Sequence, residues 1–321
     1  MPQTSLASSW IQLQETSDMD QHGSSQEGWA LRYEQMSHGQ FAGRLQQVHL
    51  PEMTLLREDT NIALHQRGRL DCDVYGFATA MSDTSDLFFN GRQVPHHAIM
   101  CGKGNDVDLN TPPQFSLLAI VVKHSLLNPL WEHMYQRPLA PWLEKQLVLE
   151  TTAIKIQSVR ETQLATLEFC FANPQLQSDT QALLQLRDDI LIEWIEALPP
   201  EVDTSDLVSH SRKRKVVDRA CEVMMSRADE PLSILEICNR VGTSRRKLNT
   251  CFQEVLGTSP VKYLRSLRLN GVRRALRVAG PNETIQNIAA HWGFWHLSQF
   301  ASDYKKLFGE LPSATLSARS A

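Results

Sequence analysis

The sequence predicts an α+β protein: a β-rich N-terminal domain that ends in helices, then an all-α C-terminal domain with two helix-turn-helix motifs joined by a linker helix. Three observations predict it. An apolar pattern is written twice in the C-terminal third, charge divides along the chain, and the hydrophobic period lengthens after Val122. In the first copy of the pattern Ile234, Ile237, Cys238 and Val241 stand at relative positions 0, 3, 4 and 7; Gly242 follows, and Leu248, Phe252 and Leu256 mark one face of a second helix. In the second copy Ile285, Ile288, Ala289 and Trp292 keep that spacing, Gly293 follows, and Phe300, Tyr304 and Phe308 repeat the stride. The offset is 51 residues before the turn and 52 after it, so the second turn is one residue longer. Gly257 and Pro260 close the first unit as Gly309 and Pro312 close the second.

The overall charge of −4 hides a division. From His210 onward 19 Lys and Arg face 9 Asp and Glu, whereas the preceding residues hold 13 against 27. A basic end on an acidic body is the electrostatic footprint of a chain that meets phosphate at one end. A solvated charged face is the plainer explanation of a charge run, but here the run coincides with the repeated helical pair.

Taken in order, residues 1–28 are rich in Ser, Gln and Asp and read as a disordered N-terminal tail. From about Phe41 to Val122 short strands alternate with turns: Asn61 to Leu64, Asp73 to Ala78, Leu87 to Phe89 with an Asn90-Gly91 turn, and Phe115 to Val122. That spacing suggests a small sandwich or barrel. A helix is expected from about Thr152 to Phe171, and Leu183, Arg187, Ile190, Leu191, Trp194 and Leu198 follow a helical stripe until Pro199-Pro200. The stripe serves either as core or as a homodimer seam. Residues 29–200 are thus one domain and 201–210 a linker.

The last domain, 211–314, begins with a helix from about Ser211 to Ser226. Motif one spans about 233–256: Ser233 with Glu236 forms a capping box, and Ser244 is placed to cap the helix after the Gly242 turn. The exposed face of that helix offers Arg245, Arg246, Lys247, Asn249 and Thr250, residue types that pair with guanine, adenine or phosphate. Pro260 to Val278 forms the linker helix; its 19 residues span about 28 Å at 1.5 Å each. Major-groove faces on one side of B-DNA recur at about 34 Å, so a stiff helix of this length could hold two readers in adjacent grooves. Arg265, Arg268, Arg273, Arg274 and Arg277 on it are divided between phosphates and acidic neighbours. Motif two spans about 284–308, and the start of its second helix carries His296, Leu297, Ser298, Gln299, Ala301 and Ser302, with little positive charge before Lys305-Lys306. This unit either reads bases, through thymine methyls and polar edges, or grips backbone. Trp295 is expected to plug the longer turn as core rather than to contact DNA.

These residues resemble the AraC/XylS family of bacterial transcription regulators. The resemblance rests on Ser244, Leu248, Phe252, Gly257 and Pro260; on Arg268-Leu269-Asn270 with Arg273-Arg274; and on Gly293-Phe294 with Phe300, Tyr304, Gly309 and Pro312. It implies a DNA-binding domain of two helix-turn-helix motifs on promoter DNA, activation through RNA polymerase, and a cupin-like N-terminal domain that senses an effector or dimerises. The text from Trp292 to Leu297, with Gln299 to Ala301 and Asp303-Tyr304, is similar to the branch that governs ethanolamine-utilisation operons. That similarity implies ethanolamine and adenosylcobalamin as effectors; no residues are assigned to hold them.

Other classes fit less well. The chain opens without a basic and apolar leader, and its longest apolar stretch, Leu117 to Val122, is far too short to span a bilayer. Six cysteines lie scattered without a C-x-x-C pair, which suits a reduced cytoplasm. A metal-dependent enzyme is suggested only by His96-His97, and neighbours on a strand point to opposite faces. No catalytic motif accompanies them, and no cofactor is required. A DNA-binding protein whose N-terminal domain only dimerises or meets another protein is the remaining alternative.

Overall fold

The computed structural model describes residues 10–24, 29–82, 84, 86–103, 107–143, 147–199, 207–226 and 232–318. Residues 1–9 and 25–28 of the expected tail, Pro200, and 201–206 of the expected linker lie outside them. In chain order the N-terminal part holds β1 (Ile11–Thr16), α1 (Met19–Gly23), β2 (Trp29–Gln35), β3 (Gly43–Leu50), β4 (Met53–Thr60), β5 (Leu64–Leu70), β6 (Val74–Ala80), β7 (Phe88–Phe89) and β8 (Arg92–Gln93). It continues with β9 (Ala98–Lys103), β10 (Val107–Thr111), β11 (Phe115–Lys123), α2 (His124–Tyr135), α3 (Leu139–Leu143), β12 (Val148–Glu150), α4 (Ala153–Ala172) and α5 (Thr180–Ala197).

Among the described residues two antiparallel sheets form, ordered β1-β3-β4-β11-β6-β9-β12 and β2-β5-β10-β7-β8. The organising element is β11. Successive residues of a strand point to opposite faces, and both faces of β11 are buried. Leu117, Ala119 and Val121 enter the core between the sheets with Leu70, Phe89 and Leu109. Leu118, Ile120 and Val122 enter a second core, beneath helices, with Trp131, Ile156 and Trp194. The result is three layers: a five-stranded sheet, a seven-stranded sheet, and the helices α2, α4 and α5. The stripe on α5 therefore serves as core, since Leu183, Ile190, Leu191 and Trp194 are buried within the protomer.

The structure corrects three expectations here. Part of the presumed tail is ordered: β1 pairs with β3 along its whole length, and Trp10 and Met19 are buried. Its polar composition concealed a short strand whose exposed residues are Leu13 and Glu15. Of the stretch Asn61 to Leu64, Asn61 to Ala63 form a turn that leads from β4 into β5 and only Leu64 is strand, because Thr60 already pairs with Gly43 and Phe115. His96 and His97 lie in a turn ahead of β9, not on a strand, and their ring centroids stand 4.5 Å apart. Among the described residues no group of three or more His, Cys, Asp or Glu could hold a metal ion.

The C-terminal part holds α6 (Leu207–Ser226), α7 (Ile234–Val241), α8 (Arg245–Leu256), α9 (Pro260–Val278), α10 (Ile285–His291), α11 (Leu297–Phe308) and α12 (Pro312–Ser317). Its two cores share one helix. Tyr263, Leu264 and Leu267 of α9 pack with Val217, Ala220, Leu248 and Phe252 from α6 and α8. Leu269, Val272 and Leu276 of the same helix pack with Ile288, Phe300, Tyr304 and Phe308 from α10 and α11. The linker helix is thus the common wall of both helix-turn-helix units. At Gly271 it meets Trp292 so closely that an added Cβ would lie 2.2 Å from the indole ring.

Candidate nucleic-acid interface

The first candidate reader is α8. Ser233 and Glu236 close their capping box on α7, and Gly242 ends α7 in the left-handed conformation, φ +71°. Ser244 Oγ then accepts from Lys247 N at 3.2 Å to start α8. This fixes which face turns inward: Leu248 and Phe252 are buried, while Arg245, Arg246, Lys247, Asn249 and Thr250 are all exposed. Thr250 Oγ1 donates to Arg246 O at 3.1 Å, which takes up its hydroxyl proton and leaves oxygen lone pairs outward.

The second reader is α11. His296 occupies its N-cap position, and Phe300, Tyr304 and Phe308 are buried. His296, Leu297, Ser298, Gln299, Ser302 and Lys305 are exposed, with Ala301 half-buried. Gln299 Nε2 donates to Asp303 Oδ1 at 3.0 Å, and Arg265 of α9 pairs with the same carboxylate. The two readers differ in charge: α8 begins with three consecutive cations, whereas α11 begins with neutral side chains and keeps a neutralised acid behind them. Trp295 is not core. It is 69% exposed, because the indole that fills the space beside α9 is that of Trp292.

The linker arginines also depart from expectation. All five have protein partners. Arg274 donates from Nε to Asp20 at 2.8 Å, from Nη1 to Glu34 at 2.9 Å and from Nη2 to Tyr33 O at 2.5 Å. Arg277 pairs with Asp18, and Arg273 lies over the Phe308 ring at 4.8 Å with Glu310 at 3.4 Å. Arg268 donates to Leu232 O at 3.0 Å. Arg274 and Arg277 therefore hold the N-terminal domain, whose acidic residues on α1 and β2 supply the carboxylates. Sequence reasoning could not find these partners, since they lie more than 230 positions away.

The seam continues on both sides of α9. Asn270 pairs its side-chain amide with the backbone of Gln35 in both directions, at 3.2 and 3.1 Å, as a neighbouring strand would on the edge of β2. Gln35 Nε2 and Gly39 N both donate to Leu307 O at the end of α11. Toward α6, Arg67 lies 3.1 Å from Asp108 and 3.8 Å from Asp218, and His65 Nε2 is 2.9 Å from Asp108. None of these contacts uses an exposed reader residue, so the N-terminal domain grips both units and leaves both readers open.

Asp108 makes the seam sensitive to acid. Burial pushes its carboxyl up, but His65, Arg67 and Arg214 outweigh burial and hold it at about 2. The folded value lies below the usual carboxylate value of about 3.9. Its contribution to stability is therefore complete above about pH 4 and is lost as pH falls toward 2. An acid titration followed by interdomain proteolysis should show an opening step in that window, and Asp108→Asn should remove it. An unaltered step in the variant would assign acid opening to other groups.

Between the sheets a void of about 30 Å³ is lined by Trp29, Glu58, Gln66, Phe89 and Met100. Glu58 accepts from Tyr33 Oη at 2.8 Å and lies 2.9 Å from His22 Nε2. Such a void holds about one water, against roughly 300–1,000 Å³ for ordinary ligand pockets. No helix among the described residues is long and apolar enough to cross a membrane.

Residues 237–318 match the family described as a helix-turn-helix domain. Over 102 residues the chain is 37% identical to the probable thc operon regulatory protein of Rhodococcus erythropolis, covering 32% of this chain and 31% of the relative. It is 35% identical over 101 residues to XylDLEGF operon transcriptional activator 2 of Pseudomonas putida, covering 31% of this chain and 64% of that protein. The chain thus spans less than two thirds of the length of either relative. A solved AraC-type DNA-binding-domain regulator from Chromobacterium violaceum is 33% identical and covers 34% of this chain and 96% of its own, with a TM-score of 0.32. Residues 237–318 therefore form a helix-turn-helix domain.

Proposed function

We propose that the chain is a sequence-specific transcription regulator that activates a catabolic operon, with an effector sensed in the N-terminal domain. The observation that carries this reading is the presence of two uncovered readers, on α8 and α11, set on two cores that share the single helix α9. One protomer then covers about two turns of duplex, since the 19 residues of α9 span about 28 Å against a groove repeat of about 34 Å. The names of the relatives above support an operon as target. Double-stranded promoter DNA is the first partner, RNA polymerase the second, and the cytoplasm the place where both are met.

The assignment of roles follows from chemistry. Arg246 and Asn249, one helical turn apart on α8, read base edges; Arg245, Lys247 and Lys305 meet phosphates. Arg246→Ala should cost about 1–3 kcal/mol on the preferred duplex and relax preference at one base pair. Lys247→Ala should weaken all duplexes alike and lower the salt slope by about 1. Binding titrations on matched and scrambled duplexes at several salt concentrations separate the two. Identical behaviour of both variants would sink the division into readers and clamps.

Effector binding between the sheets requires them to part around Glu58, because the void there holds about one water. Ethanolamine and adenosylcobalamin enter as the first probes, from the narrower resemblance; the operons of the relatives above, thc and XylDLEGF, give that branch no support. Thermal-shift screening with amino alcohols, cobalamins and aromatic acids tests the sensing role. Stabilisation by none of them would favour an N-terminal domain that serves dimerisation or protein contact alone.

A further inference from the structure

We infer that Trp295 is a third DNA-contacting element, an apolar ring that packs against the duplex beside the second reader. The inference deepens the two-reader interpretation and rests on it.

The indole is 69% exposed on a residue type that is highly buried on average. It stands on the rim of a groove of about 380 Å³ between the two helix-turn-helix units. The groove is walled by Ile234 at the first turn of α7, by Val261, Arg265 and Arg268 of α9, and by Trp295 and His296 before α11. Val261, 49% exposed, adds to its apolar surface.

Three features favour DNA as what covers it. First, the groove is continuous with the second reader, because His296 and Gln299 belong to both. Second, its charged side chains are Arg265 and Arg268 against Asp303, whose carboxylate is already engaged by Arg265 and Gln299. Third, the readers belong to the two units that form the groove's sides, so a duplex engaging both runs across it. The second reader also lacks what the first has. Without cations at its N-terminus it gains little from phosphates, and an aromatic ring there supplies affinity by another route. Thymine methyls and deoxyribose are the apolar surfaces a duplex presents, and apolar side chains on DNA-binding proteins use them.

The test uses the full chain and duplexes that it recovers from a random-sequence DNA pool, measured between about 50 and 200 mM salt. Trp295→Ala is expected to weaken the recovered duplex at least tenfold with the salt slope unchanged, because no phosphate contact is lost. Trp295→Phe should restore most of the affinity, and thermal unfolding of both variants should match the parent chain. Three outcomes overturn the inference: an alanine variant that binds within twofold of the parent, a loss accompanied by a flatter salt slope, or intact DNA binding with a defect seen only when RNA polymerase is added. The last would assign the ring to a protein partner. A parent chain that recovers no preferred duplex sinks the two-reader interpretation, and this inference with it.

Discussion

Replacing Arg274 with alanine should cost about 3 kcal/mol and detach the N-terminal domain from the linker helix. Its guanidinium makes three hydrogen bonds across the seam, and the Glu34 carboxylate it pairs with is buried. Removing one member of a buried pair leaves the other charge in a poor solvent, at a cost of roughly 3–5 kcal/mol. The lower end applies because Glu34 retains Arg32 at 2.7 Å. Arg277→Ala is the control: its partners Asp18 and Asp20 are each about a third exposed, so its loss should stay near 1 kcal/mol. Urea unfolding gives the energies, and the rate of cleavage between residues 199 and 211 reports detachment. Equal effects of the two variants would mean that buried Glu34 does not set the strength of the seam.

Gly271→Ala should be destabilising where helix propensity alone says the opposite. In an open helix the change would gain roughly 0.8–1 kcal/mol. Here the new methyl would sit 2.2 Å from two ring carbons of Trp292, a distance no packing tolerates. Trp292 caps α10 and packs half-buried between α9 and the second core, so making room for the methyl means pulling the ring away from that packing. Overpacking of this kind costs roughly 1–3 kcal/mol or more, and the net loss should be about 2 kcal/mol or more, with binding through α11 weakened further. Trp292→Leu in the same chain should recover part of the loss. If Gly271→Ala raised the melting temperature, the close approach described above would be wrong.

The helical domain was largely legible in the sequence. Capping boxes, left-handed glycines and a 3.6-residue stripe are local signals, and Ser233, Gly242, Ser244 and Pro260 stand where such signals place them. The residues assigned to the two reading faces are exposed, save Ala301, which is half-buried. The N-terminal sheets were legible at β6, at β11 and around the Asn90-Gly91 hairpin, whose residues take positive φ as the turn requires. Strands such as β3 and β4 bury residues like Gln47 and Glu58, so their polar letters hid inward faces. The seam could not be read at all. Asn270, Arg274 and Arg277 find their partners on β2 and α1, and nothing in one chain's spacing reports a contact between charges so far apart in sequence. Trp295 was misplaced for a related reason, whereas Trp292 stands on the inward face where the repeated spacing puts it: two large aromatics compete for one space, and only packing decides which enters.

The shared wall of the two cores has a bearing on what lengths of target the protein can accept. Each residue of an α-helix advances the chain by 1.5 Å and turns it by about 100°. Because α9 is packed on both flanks, its ends cannot counter-rotate without tearing one core from the other. The angular phase between the binding surfaces is therefore set once, at folding, and the operator must supply the matching helical repeat. Adjustment for an imperfect target falls to the nucleic acid, by twisting or bending, and not to the protein.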